Sequence, residues 1–361
     1  MKSKSPFMLS LSRLRRHRLG MAGAVILIGL YFSAVWAGFL SPYPLEYESR
    51  KKSYHPPTPV HIFDEKGKLC RPFIYDYKLT IGPDYEKHYT PILEKKYHLK
   101  FFHQGEPYLF WGLFTTRLHL FGVDQPAMLY LLGSDWNGRD IFSRLLYGGR
   151  ISLSVGLIGI GITFFIGMIV GGISGYFGGW IDTALMRLVE LLMSFPSFYL
   201  MLSLRAAFPL DLSSTQVYLM IITILSFLAW PGLARVIRGY VLSIREREYI
   251  MAAKAQGVSS LLIIIRHALP NTFSYAIISA TLSIPGYILG ESGLSLLGLG
   301  INEPQASWGN MLVRAMSLSE MVNHPWILTP GVLIFLAIMA FNFLGDGLRD
   351  AFDPQSTGHI T

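Results

Sequence analysis

Few residues in this chain stand where they could do covalent chemistry. No GxxxxGKS or GxxxxGKT phosphate loop occurs, so ATP hydrolysis by this chain alone is not expected. The glycine-rich stretch Gly171–Gly179 lacks the following lysine and a preceding soluble strand, and reads as packing and turn formation. There is no HExxH zinc motif and no GxSxG nucleophile elbow. Six histidines (His55, His61, His88, His98, His103, His119) fall at no recognised ligand spacing, so neither a metal site nor a cofactor is expected. What remains is mechanical chemistry. Glu248–Asn271, EYIMAAKAQGVSSLLIIIRHALPN, is a charged, helix-forming stretch between two very apolar ones. Ala252 and Ala253, then Gly257, then Leu269-Pro270 give it the form of a docking element rather than a connector, with small residues permitting close approach. Glu291 lies in an apolar run between Gly290 and Ser292, a candidate gate or polar contact. Arg187 and Glu190 are three apart and can pair.

These residues must be carried by membrane elements. The 361 residues are 51% hydrophobic and only 15% charged, below the quarter usual in soluble domains. The net charge of +8 gathers beside apolar runs, where it sets orientation, and no nucleic-acid-binding module pattern is present. Cys70 is the single cysteine, which excludes an internal disulfide, CxxC redox chemistry and a cysteine-rich zinc site. Six stretches are long and apolar enough to span a bilayer: 21–40, 150–173, 183–207, 217–239, 272–298 and 326–345.

Arg13, Arg15, Arg16 and Arg18 precede the first span, predicting a cytoplasmic N-terminal tail at 1–20. A cleaved signal peptide ending near Ala34-Val-Trp-Ala37 is the alternative, for which the apolar run is too long. Six spans then return the tail at 348–361 to the cytoplasm. The fourth-to-fifth connection is placed there too, and carries Arg235, Arg238, Arg245, Arg247, Lys254 and Arg266 against Glu246 and Glu248. The connection Pro209–Gln216, with Asp211 and no basic residue, belongs outside.

Gly167, Gly171 and Gly175 recur every four residues, which suits close helix packing but also general glycine enrichment in membrane helices. Pro196, Pro231, Pro285 and Pro330 are expected to kink their helices. The polar stretch 41–147 reads as an extracytoplasmic insert with some β-structure. Tyr97–His103 and Tyr108–Phe114 are expected as two strands around a turn at Gly105-Glu106-Pro107.

The Met251–Asn271 stretch resembles the EAA motif of ABC importer permeases. Four further stretches resemble the C-type subunit of the dipeptide/oligopeptide (peptide/nickel) group: Leu132–Arg150; Gly175–Asp182 with Met186–Glu190; Leu294–Gly300 with Ser307–Leu312; and Phe341–Pro354. The resemblance covers roughly 130–354 plus the first helix. It implies an all-α integral membrane fold with six transmembrane helices of the MetI-like type. The first helix at 21–40 is followed by the insert at 41–147 and a five-helix core at 148–347, with a cytoplasmic coupling loop at 240–271.

It further implies that Glu248, Met251, Ala252, Ala253, Lys254, Gly257, Leu269 and Pro270 dock on a cytoplasmic ATPase subunit. The implied partners are a homologous permease subunit, two ATP-binding subunits, an extracytoplasmic solute-binding protein and a peptide cargo, in a bacterial inner membrane. Nickel and other small solutes stay open as cargo. The family's glutamate position holds Met251, so an ion pair made there is lost or shifted to Glu248 or Glu246. The insert is longer than is usual in the group. Two other classes predict different features: an ion-coupled carrier or channel acting alone requires charge relays or inverted repeats, neither visible here. A membrane-anchored protein would have the insert as its active part.

Overall fold

The structure, a computed structural model, describes residues 10, 12–63, 67–83, 87–209 and 211–352. Most of the expected N-terminal tail, Leu210 in the Pro209–Gln216 connection, and Asp353 onward, including Pro354 of the last motif, lie outside the described residues. The chain forms two compact units. One comprises Met1–Ile28, Leu153–Leu294 and Phe335–Thr361; the other comprises Gly29–Ser152 and Ser295–Ile334.

Among the described residues, the helices of eight residues or more are α1 (Arg18–Val35), α2 (Ile141–Phe177), α3 (Gly179–Ser194), α4 (Ser197–Ala206), α5 (Ser214–Ile244), α6 (Glu248–Ala255), α7 (Leu269–Leu296) and α8 (Thr329–Phe352). Among the described residues, five helical stretches are long and apolar enough to cross a membrane; α3 and α4 together make a sixth, bent by 86°. The single helix expected over 183–207 is thus broken. Pro196 cannot donate to the helical ladder and drives Phe195 out of the helical region, to φ −87° and ψ 137°.

The other prolines behave differently. Pro231 and Pro285 lie inside the continuous helices α5 and α7. Pro330 occupies the first turn of α8, where a missing N–H costs nothing. The helices also outrun the expected spans. α2 has 37 residues where 24 were expected, because helix formation continues past the apolar window that composition detects.

In the first unit the glycine stripe is packed. A Cβ added at Gly167 would meet Leu233 Cβ at 2.9 Å, at Gly171 the Ala234 carbonyl oxygen at 2.5 Å, and at Gly175 the Arg238 carbonyl oxygen at 2.7 Å. All three partners lie on α5, so close helix approach, rather than general enrichment, explains the spacing.

The second unit carries the β-structure expected of the insert, with five strands among the described residues. β1 (His61–Phe63), β2 (Leu69–Ile81) and β3 (Lys87–His98) form one antiparallel sheet in that order; β4 (Lys100–Phe110) and β5 (Phe114–Gly122) form a hairpin. The expected turn at Gly105–Pro107 is a register shift inside β4. The chain reverses at Trp111–Leu113 instead, where Trp111 and Gly112 take φ of 51° and 75° and Leu113 N–H donates to the Phe110 carbonyl at 2.9 Å. A small core of Ile74, Val123, Ala127 and Leu129 underlies this region.

Candidate functional site: the Glu248–Asn271 loop and its supports

The stretch expected to dock is a helix, a tight turn and a second helical segment. α6 begins at Glu248, whose carboxylate suits the positive end of a helix, and ends with Lys254 at the opposite pole. Its stop is a Schellman motif: Gly257 N–H donates to the Lys254 carbonyl at 3.0 Å and Val258 N–H to the Ala253 carbonyl at 3.2 Å. Gly257 takes φ 78°, which a side chain resists. A Cβ there would meet nothing within 4 Å. Within this chain Gly257 serves to permit the left-handed turn.

The two alanines divide. Ala253 is buried and joins Ile250, Ile263 and Ala268 in a cluster with Ile237, Val241 and Ile244 of α5; Val258 and Leu269 pack against it. Ala252, Glu248, Met251 and Lys254 face outward. The loop is thus seated on the helix bundle through one face. Its other face presents Tyr249, Met251, Leu261, Leu262 and Ile265, all exposed.

Leu269-Pro270 does not end the segment. It opens α7, preceded by a π-turn at Ile264–Ala268 in which Leu269 N–H donates to the Ile264 carbonyl. Pro270 would deprive an α-helical ladder of one donor and crowd the turn before it, and the widened turn absorbs both effects.

Beneath the loop lies a group of contacts that sequence reasoning did not assign. Arg238 on α5 donates through Nε and Nη2 to the two carboxylate oxygens of Asp182, each at 2.5 Å, and Ser174 Oγ donates to Asp182 Oδ1 at 2.5 Å. Arg245 Nη1 reaches the Gly175 carbonyl at 3.4 Å. These bonds fix the turn between α2 and α3, where Gly178 and Gly179 both take positive φ, against the end of α5 that leads into the loop. Gly175–Asp182 entered only as a resemblance, and its arginine partner is 56 residues away. Arg187 and Glu190 do pair as expected, at 3.0 Å, but both are exposed and the bond adds little.

Glu291 is fully buried on α7, 20 residues beyond the end of the loop in sequence. Near it, a cleft of about 400 Å³ is lined by Phe198 and Met201 of α4, Leu225 and Ala229 of α5, and Tyr287 and Gly290 of α7. Tyr287 OH shares a 2.5 Å hydrogen bond with Thr163 Oγ1, which holds one wall. The cleft borders the break at Pro196 and the turns around Pro285.

In the second unit, Leu132–Arg150 builds a charged knot. Asp135 Oδ1 accepts from the Asn137 and Arg139 amides at 2.9 and 3.0 Å, while its Oδ2 accepts from Arg139 Nε at 2.7 Å. Arg139 Nη2 donates to Glu303 Oε1 at 2.9 Å, and Arg144 Nη2 donates to both Glu303 oxygens at 3.1 Å. Asp140 accepts from the Ser143 amide and hydroxyl at 2.8 and 2.6 Å, and its other oxygen has no hydrogen-bond partner among the described residues. Burial pushes this carboxyl up to about 7. Glu303, unassigned from sequence, closes the knot.

Comparison with known proteins agrees with this architecture. Residues 165–357, more than half of the chain, match the family described as binding-protein-dependent transport system inner membrane component. Residues 5–57 match the N-terminal TM domain of oligopeptide transport permease C. The chain is similar to a putative peptide permease protein of Brucella ovis, 42% identical over 232 residues, or 64% of this chain and 75% of the relative. It is similar to the oligopeptide transport system permease protein OppC of Haemophilus influenzae, 43% identical over 227 residues (63% and 70%). It is also similar to the dipeptide transport system permease protein DppC of Bacillus subtilis, 42% identical over 231 residues (64% and 70%). The chain therefore belongs to the family of binding-protein-dependent transport system inner membrane components, as a C-type ABC-transporter permease.

Proposed function

We propose that this chain forms half of the translocation pathway of an ATP-driven peptide importer and takes up the work of ATP hydrolysis through Glu248–Asn271. One observation carries the reading: α6 and the segment after it are locked to the bundle core by Ile250, Ala253, Ile263 and Ala268, while Tyr249, Met251, Leu261, Leu262 and Ile265 stay exposed. A segment that only connected helices would gain nothing from a rigid seat beneath an apolar outer face. An ATPase subunit covering that face would push on α5 and α7 together. Met251, where the motif's glutamate is expected, makes this contact apolar, and Glu248 in the same first turn supplies the charge.

On this reading the N-terminus and the loop face the cytoplasm, as the arginines around both predict. The insert lies outside, where a solute-binding protein delivers cargo, and a homologous permease supplies the other half of the pathway. The cleft beside Gly290 and the α3–α4 break, with buried Glu291 as a polar contact or gate, are where the pathway opens and closes. Peptide cargo is supported by the names of the relatives. An ion-coupled carrier acting alone is disfavoured by membership of a binding-protein-dependent family.

Crosslinking tests the docking. In a Cys70→Ser background, Met251→Cys and Leu261→Cys should each form an adduct with a co-purifying ATP-binding subunit, and Glu94→Cys should not. A complex that contains the subunit but yields no adduct at either position overturns the docking face.

A further inference from the structure

The tip of the β4–β5 hairpin has a composition that turn formation does not explain. Leu109-Phe-Trp-Gly-Leu-Phe114 contains no charged, hydroxyl or amide side chain, although hairpin tips in water favour Asn, Asp, Gly and Ser. Trp111 occupies a left-handed position (φ 51°) where glycine or asparagine would be less strained. Leu109, Trp111, Leu113 and Phe114 are 62%, 50%, 76% and 57% exposed. An apolar cluster of this kind on a loop tip marks a contact surface.

The place of the tip identifies its occupant. Trp111 Nε1 donates to the Val35 carbonyl at 2.9 Å, and the Trp111 and Phe110 rings lie 5.4 and 5.6 Å from that of Trp36. Val35 is the last residue of α1, a mostly apolar helix whose 18 residues extend about 27 Å, close to the thickness of a hydrocarbon core. The hairpin tip is therefore level with one edge of that core. Phe32 and Val35 are themselves exposed there, so the apolar surface of the membrane helix continues onto the hairpin. At the end of α1 side chains take over the final carbonyls, which would be costly to leave open near lipid. Arg150 Nε donates to the Ala34 carbonyl at 2.8 Å, and Arg150 Nη2 joins Trp111 at Val35 at 3.2 Å. Amphipathic tryptophan and a snorkelling arginine are the side chains that this depth favours.

We infer that the β4–β5 tip is a membrane-interface anchor: Trp111, Leu113 and Phe114 insert among lipid headgroups and upper acyl chains beside the end of α1. The anchor is independent of which membrane face carries the hairpin. It ties the second unit to the lipid surface without an additional span.

Spin-label accessibility tests it. The full-length Cys70→Ser chain, with its co-purifying subunits, is reconstituted in phospholipid nanodiscs and labelled at Leu113→Cys, or at Phe114→Cys if that variant fails to fold. Phe165→Cys, 67% exposed in mid-α2, is the lipid reference, and Glu94→Cys on β3 the water reference. The anchor predicts an oxygen-to-nickel-chelate collision ratio several-fold above that of Glu94→Cys and shifted toward that of Phe165→Cys. A ratio equal to that of Glu94→Cys places the tip in water and overturns the anchor. Protection from both reagents means a protein, such as a partner subunit, covers the tip, and overturns it equally.

Discussion

Arg238 holds Asp182 by both carboxylate oxygens, and the pair ties the double-glycine turn between α2 and α3 to the helix that leads into the loop at Glu248. Movement imposed on the loop would reach α5 and α3 together, because α5 is bonded to that turn and packed against the glycine stripe of α2.

Breaking this pair should cost stability on either side. Asp182→Asn and Arg238→Gln each leave a charge without its partner, and the partial exposure of both groups limits the loss to about 1–3 kcal/mol. A double-mutant cycle on thermal unfolding in detergent should return a coupling of about 1 kcal/mol or more. Additive losses would show that the pair does not act as a unit.

At Gly257 backbone conformation and side-chain size have separable effects. Gly257→Asn should retain folding and uptake, because asparagine tolerates the left-handed region. Gly257→Val should lose about 1–2 kcal/mol locally and reduce uptake with normal membrane insertion. Since a Cβ meets nothing there, equal losses for both variants would instead point to a partner surface that excludes any side chain.

Two glycines of α2 should respond in opposite ways. Gly171→Ala drives a methyl into the Ala234 carbonyl and should destabilise by about 1–3 kcal/mol. Gly161→Ala enters open space and should leave stability unchanged or raise it by up to about 1 kcal/mol. Melting temperatures of the two purified variants check the contrast.

The second unit contains two buried groups whose pH effects oppose each other. Burial among Tyr77, Tyr89 and Tyr130 lowers His55 from 6.5 to about 4. As pH falls from 6.5 to 4 the unfolded chain therefore takes up its proton first, and up to about 3 kcal/mol of stability is lost. Asp140 is raised from 3.8 to about 7, so its contribution is full below 3.8 and lost as pH rises toward 7. His55→Gln should leave stability that falls with rising pH, and Asp140→Asn stability that rises with it. Hydrogen exchange of the strand amides across pH 4–7 would read both slopes; identical profiles in the two variants would contradict the assignment.

Local patterns carried much of this architecture. Apolar runs marked the spans, and four-residue spacing marked the glycine face of α2. What stayed hidden depended on distant partners or on backbone choices that residue type does not settle. Asp182 meets Arg238 from 56 residues away, and Glu303 meets Arg139 from 164 residues away, with no periodicity to announce either. Gly105-Glu106-Pro107 has turn composition yet lies within a strand, where glycine and proline also suit an irregular register. The true reversal at Trp111-Gly112 was masked by an aromatic residue in a position that seldom accepts one.

Transport itself tests the central claim most directly. The chain should be co-reconstituted in liposomes with the permease, ATP-binding and solute-binding subunits proposed as its partners, and supplied with labelled peptide. Uptake should require ATP and the binding protein together, and should stop when Met251 and Leu261 are both replaced by arginine. Peptide uptake by this chain alone, driven by an ion gradient and indifferent to ATP, would contradict the account.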